Sequence, residues 1–104
     1  MVYNVVVTPD AERDLDNFIS YLLLKKKNEQ AARSLLDDFE ETKTILSNVA
    51  ASLKDCENPK LKQFGYKRIN FRKHRYFMLY RIVEDMVIID SMFHELEDYE
   101  NHLM

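Results

Sequence analysis

The sequence predicts an α+β fold: one strand, a helical hairpin, then an antiparallel three-stranded meander, with both helices on one face of the sheet. Three observations carry this. Apolar residues recur at a 3.6-residue period from Ala11 to Leu53, and the pattern then turns to strands rich in aromatic and β-branched residues after Gly65. The Glu84-Asp85 pair also divides two apolar runs, as a hairpin turn does. Two helices followed by a run of strands is the order of an α+β layer architecture.

Val2 to Val7 is apolar and β-branched and reads as the first strand. Thr8-Pro9-Asp10 then opens a helix. Thr8 can cap it, Pro9 suits its first turn, and Asp10 and Glu12 complement the positive end of its dipole. Ala11, Leu15, Phe18, Ile19 and Leu22 form one stripe of this first helix, and Lys25 to Lys27 place positive charge at its end. Asn28 is the expected cap of a second, antiparallel helix after a short turn. That helix carries Ala32, Leu35, Leu36, Phe39, Leu46, Val49 and Leu53 on one side, with Asp37, Asp38, Glu40 and Glu41 expected on the other. Lys54 to Pro59 reads as a loop. Lys67 to Lys73 alternates Arg68, Asn70 and Arg72 with Ile69 and Phe71, so a half-buried, half-cationic strand is expected there. Arg75 to Val83 is apolar on both faces and should be central. Met86 to Phe93 completes the meander, closed by His94, and Glu95 to Leu103 reads as a short acidic helix.

At 104 residues the chain suits a single domain spanning 1–104, with 46% hydrophobic residues to build one core. No apolar run approaches the ~20 residues of a membrane helix, and Met1 leads into Val2 without the basic stretch of a signal peptide. A cytoplasmic location, with no membrane partner, is expected. Cys56 has no partner for a disulfide, and Gly65 is the only glycine, which excludes glycine-rich phosphate loops and dinucleotide fingerprints. No cofactor is expected.

Charge is unevenly distributed. Lys60, Lys62, Lys67, Arg68, Arg72, Lys73, Arg75 and Arg81 lie between Asn58 and Val83, a stretch without a carboxylate, whereas the whole chain has a formal net charge of −3. Phe64, Tyr66, Phe71, Tyr76, Phe77 and Tyr80 are interleaved with these cations, a mixture that suits phosphates flanked by bases. The bland alternative is an edge strand kept soluble by lysine and arginine. With the helices on one side only, the second sheet face should stay open and carry a concave cationic patch.

Val7-Thr8-Pro9-Asp10-Ala11-Glu12-Arg13-Asp14-Leu15, with Ile19 and Tyr21, resembles the opening strand and helix of the RelE/ParE superfamily, the toxins of type II toxin-antitoxin systems also called plasmid stabilisation proteins. Tyr80-Arg81-Ile82-Val83-Glu84-Asp85, Val87-Ile88-Ile89 and Phe93-His94-Glu95 resemble its terminal hairpin. The resemblance implies a cognate antitoxin as partner, one segment of which folds onto the toxin. It implies two possible targets: mRNA on the ribosome, cut by the RelE branch, or DNA gyrase, poisoned by the ParE branch without RNA cleavage. His94 matches a histidine position of the cutting branch. Arg75 lies two residues from the strand arginine of that branch, with Phe77 standing where the arginine is expected, and Tyr99 is a loose match to its tyrosine.

Transesterification by a 2′-hydroxyl needs no metal, but it gathers negative charge that preorganised arginines stabilise. The catalytic candidates are therefore Arg75, Arg81, His94 and Tyr99, with His94 as proton carrier and His74 behind it. Lys60, Lys62, Lys67, Arg68, Arg72 and Lys73 are the candidates for nucleic-acid binding. His94, Asp98 and His102 fall on one helical face, yet a metal site drawn from one terminal turn is not expected. The leading expectation is a growth-arresting toxin acting as a metal-independent, ribosome-dependent mRNA endonuclease. A gyrase inhibitor without nuclease activity, or a degenerate module that only binds antitoxin, are the alternatives; the net charge favours the former, since an acidic body is repelled by rRNA.

Overall fold

A computed structural model describes residues 2–96. The elements run β1 (Asn4–Val7), α1 (Pro9–Ser20), α2 (Glu29–Val49), α3 (Pro59–Gln63), β2 (Lys67–Asn70), β3 (Tyr76–Val83) and β4 (Met86–His94). The sheet order is β1-β4-β3-β2, with β1 parallel to β4 and the other pairs antiparallel. The strand, hairpin and meander expected from periodicity are present. None of the helices among the described residues is long and apolar enough to cross a membrane.

Local chemistry explains where the helices start. Thr8 accepts the Ala11 amide on its Oγ1 at 3.2 Å, and the same hydroxyl donates to the Ile89 carbonyl at 2.9 Å, so one side chain caps α1 and ties it to β4. Asn28 caps α2 through the Ala31 amide at 2.9 Å. The connection between them is less simple than a tight turn: Tyr21–Lys25 continues α1 as a π-helical turn, and Lys27 takes a positive φ of 50° before Asn28. β1 stops at Val7, so β4 runs on without a strand beside it, and Asp14 from α1 accepts the Met92 amide at 3.0 Å on that edge.

The core has two compartments because β3 is buried on both faces. On the helix side Ala11, Leu15, Leu35, Phe39 and Leu46 pack against Met78, Tyr80, Val87, Ile89 and Met92. The Tyr80 hydroxyl reaches the Ala50 carbonyl at 2.7 Å, and burial pushes that phenol's pKa up, so it stays a donor. On the other side Phe77, Leu79 and Phe93 meet Cys56 and Leu61, with Tyr66 at the margin. This corrects the expectation of an open second face. Residues 55–66, which include a short helix that follows the expected Lys54–Pro59 loop and was not expected from the sequence, fold across part of it. Asn58 caps this helix, accepting the amides of Lys60 and Leu61, and Leu61 anchors it to the sheet.

Three further expectations change. β2 ends at Asn70, so Arg72 and Lys73 leave the alternating strand pattern. Asp38, expected on the solvent side of α2, is only 1% exposed. Leu36, expected in the core stripe, is exposed, and Leu53 lies beyond the end of α2. The expected terminal helix lies mostly outside the described residues, which end in a turn at Glu95 and Leu96.

Leu46 is fully buried between α2 and the sheet. Leu46→Ala should cost about 2–5 kcal/mol, read from the midpoint of urea unfolding at unchanged slope; a loss near zero would mean that α2 does not seal this core.

Candidate functional site

The sheet alternation places the cationic residues in three different settings. Arg68 pairs with Leu79, and Arg81 lies two residues on along β3, so both lie on the face away from α1 and α2. The Arg68 guanidinium stacks on the Phe77 ring at 3.8 Å, and its Nε donates to Asn70 Oδ1 at 2.9 Å. Arg81 donates through Nε to Asp90 Oδ2 at 2.8 Å, and the Tyr66 hydroxyl donates to the same oxygen at 2.9 Å. Asp90 reaches both because β4 carries a bulge here: Leu79 faces Ser91 while Tyr80 faces Ile89, leaving Asp90 as the extra residue.

This Tyr66-Asp90-Arg81 network lies in a groove of about 820 Å³, also lined by Lys60, Leu61, Gln63 and Phe64. Burial and then the hydrogen bond to Asp90 raise the Tyr66 pKa, keeping the phenol protonated. The Asp90 hydrogen bond and charge also raise that of Arg81. Phe64 stands at the C-cap of α3 with 68% of its surface exposed, just before Gly65, whose φ of +80° turns the chain into β2.

Lys67, Arg72 and Lys73 are committed elsewhere. Lys67 pairs with Tyr80 on the helix side, where its Nζ donates to the Leu53 carbonyl at 2.7 Å and to Asp55 at 2.9 Å. That bond and charge hold the Asp55 carboxyl below its ordinary pKa. Arg72 donates to Glu41 at 3.0 Å, and Lys73 lies 3.9 Å from the same carboxylate. Their own backbone amides donate to Asp38 at 3.1 and 2.9 Å, while the His74 ring Nδ1 sits 2.7 Å from Asp38 Oδ2. One buried carboxylate therefore clamps the loop between β2 and β3 onto α2. Burial alone would raise the Asp38 pKa; the His74 ring and the two amides outweigh it and hold the carboxyl below its usual value.

His94 pairs with Tyr76 at the opposite end of the hairpin from Arg81, which pairs with Ile88. Its ring meets Tyr76 edge-on at 5.0 Å, and Tyr76 packs on Phe18 of α1 at 4.6 Å. Arg81 and His94 are thus on opposite faces and five residues apart along β3, about 16 Å at ~3.3 Å per residue. His94 Nδ1 also accepts the Leu96 amide at 3.2 Å, engaging the lone pair a proton acceptor would use. Arg75 is exposed and precedes β3, with its carbonyl accepting the Glu95 amide at 2.9 Å. Lys62 is exposed on α3. Tyr99, Asp98 and His102 lie outside the described residues.

The expected convergence of Arg75, Arg81 and His94 is therefore not what the geometry brings together. Lys60, Arg68 and Arg81 lie on the expected face; Lys67, Arg72 and Lys73 do not, because strand pairing turns the first inward and Asp38 captures the loop bearing the other two. Asp38 and Asp90 were the residues that sequence reasoning missed as organisers. Asp38 sat in a run of acids that looked solvated, and Asp90 gave no signal, since a bulge has no period. No cluster of three potential metal ligands occurs among the described residues.

A family profile described as the ParE toxin of type II toxin-antitoxin systems, parDE, matches residues 5–99. No curated protein matches the chain. Among solved structures, a chain of the chromosomal ParDE system from P. aeruginosa shares the fold with a TM-score of 0.71 at 19% identity, covering 89% of this chain and 96% of that one. A chain of the toxin-antitoxin complex RelBE2 from Mycobacterium tuberculosis gives 0.61 at 24% identity, covering 90% and 99%. At these identities the likeness is one of fold.

Asp38→Ala should destabilise the protein by at least about 2 kcal/mol, because two part-buried backbone amides and the His74 ring lose their shared partner. The Asp38 pKa is depressed on folding, so its stabilisation is complete above the ordinary carboxylate range and is lost as pH falls through the folded value. Chemical denaturation should find the gap between wild type and Asp38→Ala wide at pH 7 and narrowing below about pH 4. An equal gap at pH 3 and 7 would contradict an ionised Asp38 as the clamp.

Proposed function

The chain belongs to the ParE toxin family of type II toxin-antitoxin systems and so has a cognate antitoxin as partner; from that premise we propose that it arrests growth by binding and poisoning DNA gyrase, without cutting RNA. The observation that carries this reading is the separation of Arg81 from His94 on opposite faces of the sheet. Cleavage by transesterification needs a proton acceptor and a charge-stabilising group within hydrogen-bond reach of one phosphate. Here the histidine packs on Tyr76 and Arg81 is held by Asp90. A protein-binding poison has no such requirement, and an acidic chain of net charge −3 meets less repulsion from a protein than from rRNA.

The mRNA endonuclease reading keeps one support: Lys60, Tyr66 and Arg81 line one groove, and Arg68, opposite Leu79, lies on the same face, as aromatic and cationic groups around RNA would. The two readings separate in cells. On induction without antitoxin, gyrase poisoning should relax or linearise a supercoiled reporter plasmid and leave mRNA 5′ ends unchanged. New 5′ ends within translated codons, with plasmid topology intact, would overturn the proposal in favour of RNA cleavage. Arg75→Ala and His94→Ala should retain growth arrest at wild-type levels, whereas loss of arrest in both, with unchanged thermal unfolding, would point to nuclease chemistry.

A further inference from the structure

The gyrase reading makes no use of the groove beside α3. Its wall is the exposed Phe64 ring and its floor the Tyr66-Asp90-Arg81 network, with Lys60 at the rim. These parts are held in place. Leu61 is buried under α3, Asn58 caps that helix, and the bulge in β4 aims Asp90 at Arg81.

We infer that this groove docks a segment of the cognate antitoxin in which a carboxylate stands next to an aromatic or branched apolar side chain. The inference rests on the antitoxin partnership and is independent of the gyrase reading. Three features define the occupant. Asp90 engages Arg81 through Nε alone, and the arginine side chain remains 40% exposed, so its outer nitrogens and Lys60 can receive one carboxylate. Asp90 itself is a fixed carboxylate in the floor, which disfavours a strand of successive phosphates but tolerates a peptide with a single acid among neutral groups. A groove of about 820 Å³ with Leu61 and Phe64 in its wall suits one or two apolar side chains.

The partner of which a toxin is stored must also cover surface that water disfavours. Phe64 is the most exposed aromatic ring among the described residues, and it lies beside Tyr66 and Arg81, side chains of the types on which protein interfaces concentrate their binding energy. A flexible antitoxin segment loses entropy on ordering, so it needs such a fixed, partly apolar receptor.

Fluorescently labelled purified antitoxin, titrated with full-length toxin, tests this. Phe64→Ser and Lys60→Glu, both at exposed positions, should each weaken binding about tenfold or more, with the Lys60→Glu loss shrinking in high salt. Arg13→Glu, on the exposed side of α1, should bind as wild type. Wild-type affinity in both groove variants would overturn the inference. So would loss of growth arrest with antitoxin affinity intact, which would give the groove to the target. A labelled single-stranded RNA 12-mer bound by wild type and released by Lys60→Glu, again with antitoxin affinity intact, would give it to nucleic acid. Neither plasmid relaxation nor mRNA 5′ ends enter these readouts, so this inference and the gyrase reading fail separately.

Discussion

Everything in this fold turns on β3 being covered on both faces. A central strand with solvent on one side can spend alternate positions on charge; one packed between two layers cannot, and Phe77, Met78, Leu79 and Tyr80 are all fully buried in succession. Odd and even positions therefore feed different cores, Met78 and Tyr80 toward α1 and α2, Phe77 and Leu79 toward α3. The same alternation separates any polar residues carried at the ends of the strand. Arg81 follows Phe77 and Leu79, while Tyr76, and with it His94 on the partner strand, follows Met78.

The acidic residues do more organising than the basic ones. Asp38 collects two amides and a histidine and thereby fixes the loop between β2 and β3; Asp14 completes the edge of β4; Asp90 holds Tyr66 and Arg81 together. Asp38 and Asp90 are short side chains whose carboxylates each accept several donors at once, which keeps the polar groups of a buried or half-buried site satisfied. The exposed pairs, such as Arg33 with Glu29, contribute little by comparison, ~0–1 kcal/mol each. The basic third of the chain is thus partly neutralised from elsewhere in the sequence. Asp55, Glu41 and Asp90 all lie outside it, and each takes one or two of its cations.

That redistribution is why a charge block in one dimension did not become a patch of equal size in three. Arg68 and Arg81 stayed together because they are two-residue neighbours across a ladder, a relation the strand period contains. Arg72 and Lys73 were lost because β2 is only four residues long, and nothing local distinguishes the end of a short edge strand from its continuation. Lys67 was assigned by residue type, whereas its direction depends on whether it is odd or even in a register set by the hairpin. The remaining groove is small, mixed in charge and walled by Phe64, and its chemistry suits protein recognition.

The two long helices, the hairpin and the order of these elements could be read from the amino acids alone, because each rests on short-range physics: a capping Thr8 or Asn28, a 3.6-residue stripe, a two-residue turn at Glu84-Asp85 whose first residue takes φ 56°. Kinship to the RelE/ParE toxins was legible for the same reason, since those local signals occur in the same order. The site was not. Which cations meet and that Asp90 bulges out of β4 depend on strand register, that Asp38 is buried depends on partners 34 to 36 positions away, and that α3 crosses the second face depends on Leu61 and Cys56 packing on Phe77, Leu79 and Phe93. No window of sequence holds both partners of such contacts, so only the packed sheet could decide them.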